Sequence, residues 1–197
     1  MKKKVLVLVD YQNDFTTGSL GFEGGVKLDD DPDGVIIATL DSHREDYLET
    51  QEGRKLPIVH CMMNTEGHKL YGKTGEFVES LYTESEEFIG EYDKCVYRTN
   101  NYKVYIVTKD TFGSIELAEL LRQIEGESGI ECIEVAGIVT NMCVASNVVI
   151  AKAACSNVEI KVQEKYVDSF DRKLHIEALN VMEGMQVTVV WNKETDQ

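Results

Sequence analysis

Apolar residues along this chain fall into two alternating patterns. Val5–Val9 is an unbroken run of valine and leucine, the pattern of a strand covered on both faces within a parallel sheet. Val35–Leu40 repeats it after the turn signal Asp31-Pro-Asp-Gly34. Val104–Val107, Ile133–Val139, Val158–Val162 and Val187–Trp191 supply further strands rich in β-branched residues. Between them the period changes. Leu117, Leu120, Leu121 and Ile124 stand at i, i+3, i+4 and i+7 behind Ser114, a residue type that caps helix N-termini. Val144, Val148 and Ala151 predict a second helix. Leu174, Ala178, Val181 and Met182 predict a third, with Gly184 placed to close it.

Strands alternating with helices predict an α/β fold: a doubly wound, mainly parallel sheet with helices on both faces. No repeat, low-complexity tract or linker interrupts residues 1–197, so one domain is expected. Two stretches depart from the rhythm. Tyr11 to Gly34 has no convincing helical period, which predicts an irregular crossover. In "VYRTNNYKVYIV" (96–107), Asn100-Asn101 separates two short β-like runs, as in a hairpin.

Composition narrows the setting. Hydrophobic content is 43%, with two prolines, which fits a packed globular chain. The net charge of −15, from 35 acids and 20 bases, repels phosphate backbones and argues against nucleic acid. The start, MKKKVLVLVD, has an apolar core that ends at Asp10, too short for a signal peptide or a membrane span. Five cysteines (61, 95, 132, 143 and 155) show no CxxC spacing. Reduced thiols in a cytoplasmic protein are therefore expected.

Chemistry gathers where strands end, and open α/β sheets bind ligands outside the carboxyl ends of their strands. The first strand runs into Asp10, the second into Asp41-Ser-His43, a third into Lys109, and the fourth leads to Cys143. Taken singly these are a loop carboxylate, a solvated lysine and a small buried thiol. Together they supply an acid–base group, a cation, a nucleophile and a candidate metal pair. A helix start and an ammonium both lower a thiol's pKa, so Cys143 beside Lys109 predicts an activated nucleophile. Asp10 is placed to take the thiol proton and return it to a leaving amine.

Three segments, "VDYQNDF" (9–15), "KDTFGS" (109–114) and "GIVTNMCV" (137–144), resemble in their order the signature segments of the isochorismatase-like cysteine hydrolases. The resemblance runs from Val5 to about Val190 and implies a triad of Asp10, Lys109 and Cys143. It also implies a cis peptide between Val139 and Thr140, with backbone N–H groups of Thr140 and Cys143 turned toward an oxyanion. "LDSH" (40–43) and "LPIVHCMMNTEGHKLYG" (56–72) are similar to the metal-site region of nicotinamidases. That similarity implies one divalent ion on Asp41, His43 and His60, with Glu52 or else Glu49 as a further ligand. Zinc heads the candidates, and iron and manganese suit the same donors.

The expected activity is therefore hydrolysis of a small amide, nicotinamide first, with Phe15 and Tyr105 as aromatic pocket walls. Another small amide or carbamoyl compound is the alternative substrate, and a non-catalytic binding protein the alternative class. Relatives often form oligomers, so a homo-oligomer is expected by analogy. One departure bears on substrate: the tryptophan frequent between the Asp and His of the metal pair is Ser42 here. His68, His175 and the other four cysteines are expected to serve packing or surface.

Overall fold

The computed structural model describes residues 2–19, 35–76, 87–91, 94–98 and 103–192, with 87–91 and 94–98 described by backbone alone. Most of the Tyr11–Gly34 crossover thus lies outside the described residues. The valine runs form β1 (Lys3–Val9) and β2 (Val35–Asp41), and α1 (Asn13–Thr16) follows the first of them. Next come β3 (Glu87–Glu91), β4 (Lys94–Arg98) and β5 (Lys103–Lys109), then α2 (Ile115–Ser128) and β6 (Ile130–Ile138). A π-helical turn, Thr140–Val144, leads into α3 (Ala145–Ala154), which is followed by β7 (Glu159–Asp168), α4 (Arg172–Gly184) and β8 (Thr188–Val190).

One eight-stranded sheet has the order β3-β4-β5-β2-β1-β6-β7-β8. The six strands from β5 to β8 are parallel, and β3 and β4 add an antiparallel edge. Pairing of Arg98 with Lys103 confirms the hairpin expected around Asn100-Asn101, whose tip lies outside the described residues. From β1 the chain winds outward both ways, so β1 and β6 flank the point where the windings diverge. Such a point is where doubly wound sheets take their ligands.

Alternation along the strands sends Val5, Val7, Val9, Val35 and Ile37 to one face. There they meet Leu117, Leu120, Leu121 and Ile124 of α2, Val148 and Ala151 of α3, and Leu179 and Met182 of α4. Each buried valine, leucine, isoleucine or methionine among them contributes about 2 kcal/mol. Ser114 caps α2 by accepting from Leu117 N at 3.1 Å, worth about 1 kcal/mol. Leu8, Ile36, Ala38 and Ile106 face the other way, against Phe15 of α1, Tyr11, Cys61 and Leu70. Among the described residues no helix is long and apolar enough to cross a membrane.

Two details of α4 differ from the sequence expectation. Its buried residues are His175, Leu179 and Met182, whereas Leu174 and Val181 are exposed. The helix is turned about one residue, roughly 100°, from the apolar stripe that its sequence suggests. Nor does Gly184 close it. The left-handed position is Gln186 (φ 65°), with Gln186 N donating to Glu183 O and Val187 N to Met182 O, the paired bonds of a Schellman ending.

Candidate active site

Register explains how the reactive residues meet. Asp41 ends β2 directly opposite Lys109, the end of β5, and β1 lies on the other side of β2. Asp10 follows β1 in the left-handed region (φ 47°), its N–H donating to Thr39 O at 3.1 Å. Beyond β6 comes the turn that carries Cys143. Four neighbouring strands therefore deliver Lys109, Asp41, Asp10 and Cys143 to one rim. Gly137 lets β1 and β6 close up there: its φ is 123°, and a Cβ would lie 2.0 Å from Val9 O. No residue with a side chain fits that position.

Lys109 Nζ is 2.6 Å from Asp10 Oδ2, 3.7 Å from Asp41 Oδ1 and 3.8 Å from Cys143 Sγ. All four side chains are buried. Thr39 Oγ1 donates to the other Asp10 oxygen at 2.6 Å. Burial works against the ammonium, but Asp10, the Cys143 sulfur and Asp41 outweigh it and raise the Lys109 pKa. Burial raises the Asp10 pKa more than the Lys109 charge lowers it. Burial also pushes the Cys143 thiol well above its ordinary range, with the Asp10 charge adding and Lys109 opposing. The sequence led us to expect a lowered thiol pKa at a helix start. Desolvation overrides that, and the resting Cys143 side chain is a protonated thiol.

A second cluster shares Asp41. Past β2, His43 pairs with the 61–63 segment, its N–H donating to Cys61 O at 3.0 Å and its carbonyl accepting from Met63 N at 2.9 Å. That pairing brings His60 beside Asp41. Asp41 Oδ2 lies 3.1 Å from His43 Nε2 and 3.3 Å from His60 Nε2. His60 Nδ1 is 2.7 Å from Ile58 O, an arrangement that puts its proton on Nδ1 and leaves Nε2 free to ligate. One carboxylate oxygen and two imidazole nitrogens, all buried, lie within 4.8 Å of one another. This donor set fits a zinc-like divalent ion. Glu52 Oε1 is 3.7 Å from His43 Nε2 and half-buried, whereas Glu49 is exposed. Burial would raise the Asp41 pKa, yet the imidazoles of His43 and His60 beside it and the Lys109 charge hold it well below its usual range.

Other expected residues divide. Phe15 is buried with its ring 5.5 Å from that of His60, and Tyr47 closes the same wall 4.3 Å from His43. Tyr105 is not at the site. It sits four residues before Lys109, about 13 Å along β5, in the helix-side core with Lys103 Nζ 4.9 Å from its ring. The cis peptide joins Ile138 to Val139, one bond earlier than expected. It follows the last residue of β6 directly, so its amide is that of Val139.

Beside Thr39 and Tyr47, two further polar residues that the sequence does not single out hold the site together. Gln12, fully buried, donates to Asp41 O at 2.9 Å and His68 O at 2.7 Å and accepts from Asp41 N at 2.8 Å, tying three loops together. Asn147 donates to Cys143 O at 2.9 Å and Phe112 O at 3.0 Å and accepts from Ser114 N at 3.0 Å. It joins the turn that carries Cys143 to the loop after Lys109. His68 Nε2 lies 2.6 Å from Ser42 Oγ, and His175 Nδ1 2.8 Å from Thr140 Oγ1. For both histidines the expectation was packing or surface, and the structure adds these hydroxyl contacts to it. For Gln12, its place in "VDYQNDF" was the available signal.

The buried Asp–Lys–Cys rim on a doubly wound sheet is matched at the level of family. Residues 4–194 match the isochorismatase domain, and the chain belongs to the isochorismatase family of hydrolases. It is similar to the nicotinamidase/pyrazinamidase of Bacillus subtilis, at 22% identity and a TM-score of 0.70, over 96% of this chain and 100% of that one. It is also similar to the pyrazinamidase of Pyrococcus horikoshii in complex with zinc (20% identity, TM-score 0.63, 96% and 99% covered). The N-carbamoylsarcosine amidase of Thermoplasma acidophilum aligns over both chains completely, at 18% identity and a TM-score of 0.63. At these identities the likeness is one of fold. No curated protein matches the chain by sequence.

Proposed function

We propose that the chain is a metal-dependent amidohydrolase that converts nicotinamide and water to nicotinate and ammonia through a thioester on Cys143. The observation that carries this reading is the double use of Asp41. One of its oxygens lies 3.7 Å from the Lys109 of the nucleophilic cluster, the other within 3.3 Å of both imidazoles. Bond-breaking and ligand-holding groups thus share one side chain.

In this mechanism the Asp10 carboxylate takes the proton of the Cys143 thiol as sulfur attacks the amide carbon. The high thiol pKa makes that base necessary. Backbone N–H groups of the 139–143 turn stabilise the oxyanion. Collapse breaks the C–N bond, and Asp10 returns the proton to the departing ammonia. A water then attacks the thioester, again giving its proton to Asp10, and the acid leaves as the Cys143 thiol is restored. Lys109 keeps the Asp10 carboxylate oriented, and Thr39 holds its second oxygen. Asp41, His43 and His60 would hold the metal, zinc first among the candidates, with Glu52 beside them. When bound, the ion supplies a Lewis acid for a heteroaromatic nitrogen, and Phe15 and Tyr47 wall the same region.

The likeness to nicotinamidases and a pyrazinamidase supports this substrate class. Ser42, hydrogen-bonded to His68, favours a second reading in which the substrate is a less aromatic amide or a carbamoyl compound. Ammonia release from nicotinamide, pyrazinamide, aliphatic amides and N-carbamoyl amino acids separates the two. Release from nicotinamide at the highest kcat/KM is expected. Turnover confined to the carbamoyl compounds would overturn the nicotinamidase reading, and no release from any of them would favour a binding protein.

A further inference from the structure

The inward face of α4 is apolar except at one place. Leu179 and Met182 fill the core, but the first buried position is His175, only 1% exposed. If packing were its only task, an apolar side chain would avoid burying two ring nitrogens. One of these, Nδ1, is 2.8 Å from Thr140 Oγ1. The other, Nε2, is buried and has no hydrogen-bond partner among the described residues. It lies 3.9 Å from Glu164 Oε1, beyond hydrogen-bond reach. Glu164 is itself buried and held by Arg172 at 2.6 Å and Asn192 N at 2.8 Å. Burial lowers the His175 pKa, Arg172 lowers it further and Glu164 opposes them, so the ring is neutral near pH 7.

A neutral imidazole has one N–H and one lone pair, and the nearby carboxylate favours the proton on Nε2. Nδ1 then accepts from the Thr140 hydroxyl. Thr140 is fully buried and opens the π-helical turn in which Cys143 is the fourth residue. Asn141 of the same turn accepts from Ser169 Oγ at 2.6 Å, so the segment entering α4 grips the turn at two successive residues.

We propose that His175, with its tautomer set by Glu164, is a positioning residue that fixes Thr140 and through it the turn carrying Cys143 and the oxyanion donors. The proposal rests on the thioester reading above and adds to it a specificity of geometry: His175 touches no reacting atom. Its loss should therefore lower kcat and leave KM nearly unchanged.

The test compares His175→Leu, His175→Asn, Thr140→Val and the His175→Leu/Thr140→Val pair, with nicotinamide as substrate and Cys143→Ala alongside. His175→Leu should lose about 10- to 100-fold in kcat, the scale of a small misplacement of reacting groups, with KM within about twofold. His175→Asn should recover most of this, because its Oδ1 replaces Nδ1 as acceptor. Thr140→Val should match His175→Leu, and the pair should be no worse than either. Long-range ¹⁵N–¹H spectra should show His175 protonated on Nε2 in the parent and in Thr140→Val, with the Nδ1 shift moving in the variant as its hydrogen bond is lost. Unchanged kcat in His175→Leu, or His175→Asn as poor as His175→Leu, would overturn the proposal, as would a proton on Nδ1. If Cys143→Ala keeps its activity, the thioester reading falls. An inactive Cys143→Ala beside a fully active His175→Leu refutes the positioning role alone. If His175→Leu fails to fold or nicotinamide is not turned over, the tautomer decides.

Discussion

Asn147 offers the most quantitative check on the site's construction. Its amide is fully buried and satisfies Cys143 O, Phe112 O and Ser114 N. Leucine has the same branched outline and a better helix propensity, but Asn147→Leu takes the side-chain partner from all three backbone groups. Cys143 O and Ser114 N are buried, and each orphaned group costs about 1–2 kcal/mol, while Phe112 O lies nearer water and costs less. Against this stands a gain of about 0.5 kcal/mol in helix propensity. The net expectation is a loss of roughly 2–4 kcal/mol, which at about 2–4 °C per kcal/mol for a chain of this size lowers Tm by roughly 5–15 °C. Urea titration should show a lower midpoint with an unchanged slope. Asn147→Asp supplies the sign test. Its carboxylate still accepts from Ser114 N but faces two carbonyl oxygens, so burial raises its folded-state pKa above the unfolded value of about 4. Destabilisation should thus be small below about pH 4 and grow as pH rises through the folded pKa. A loss under about 1 kcal/mol in Asn147→Leu, or an Asn147→Asp curve that improves with pH, would refute the clamp.

Other outcomes follow from the same distances. Cys143→Ala should abolish turnover in a folded protein, as measured by ammonia release and circular dichroism. Alkylation of Cys143 should speed up as pH rises; Lys109→Met should move that rise to higher pH and Asp10→Asn to lower pH, followed by mass spectrometry. Opposite movements are required because Lys109 lowers the thiol pKa and Asp10 raises it. Elemental analysis should find about one divalent ion per chain, lost in His43→Ala and His60→Ala. Thr39→Val, which removes the 2.6 Å bond to Asp10, should reduce kcat by about 10-fold with little change in KM.

The central strands were legible because β-branched runs flanked by turn residues permit little else. The rim was legible because strand ends can be counted from those runs. What stayed hidden depends on rotation and register. Leu174, Ala178 and Val181 outline an apolar stripe on α4, and only the packed helix shows His175 inside and Leu174 outside. Tyr105 has an aromatic ring and lies near Lys109 in sequence, yet the rise along a strand carries it away from the rim. Asn147 looks like a polar residue on a helix surface until the loop from β5 is laid against it. The thiol pKa was misjudged for a different reason: a sequence shows the helix start and the lysine but not the desolvation.

The antiparallel edge has a consequence for self-association. Without β3 and β4, the strand ending in Lys109 would be the last of the parallel sheet, its outer N–H and C=O groups open to water and to other chains. With β4 paired along Lys103–Val107, β5 becomes an interior strand, bonded on both sides over most of its length. Its amides should exchange with deuterium only through the largest unfolding event. Among the described strands the outer places pass instead to β3, of five residues, and β8, of three. Both are short, as edges that resist strand-to-strand aggregation are. Lys109 thus stands two strands inside the frontier at which sheets recruit one another.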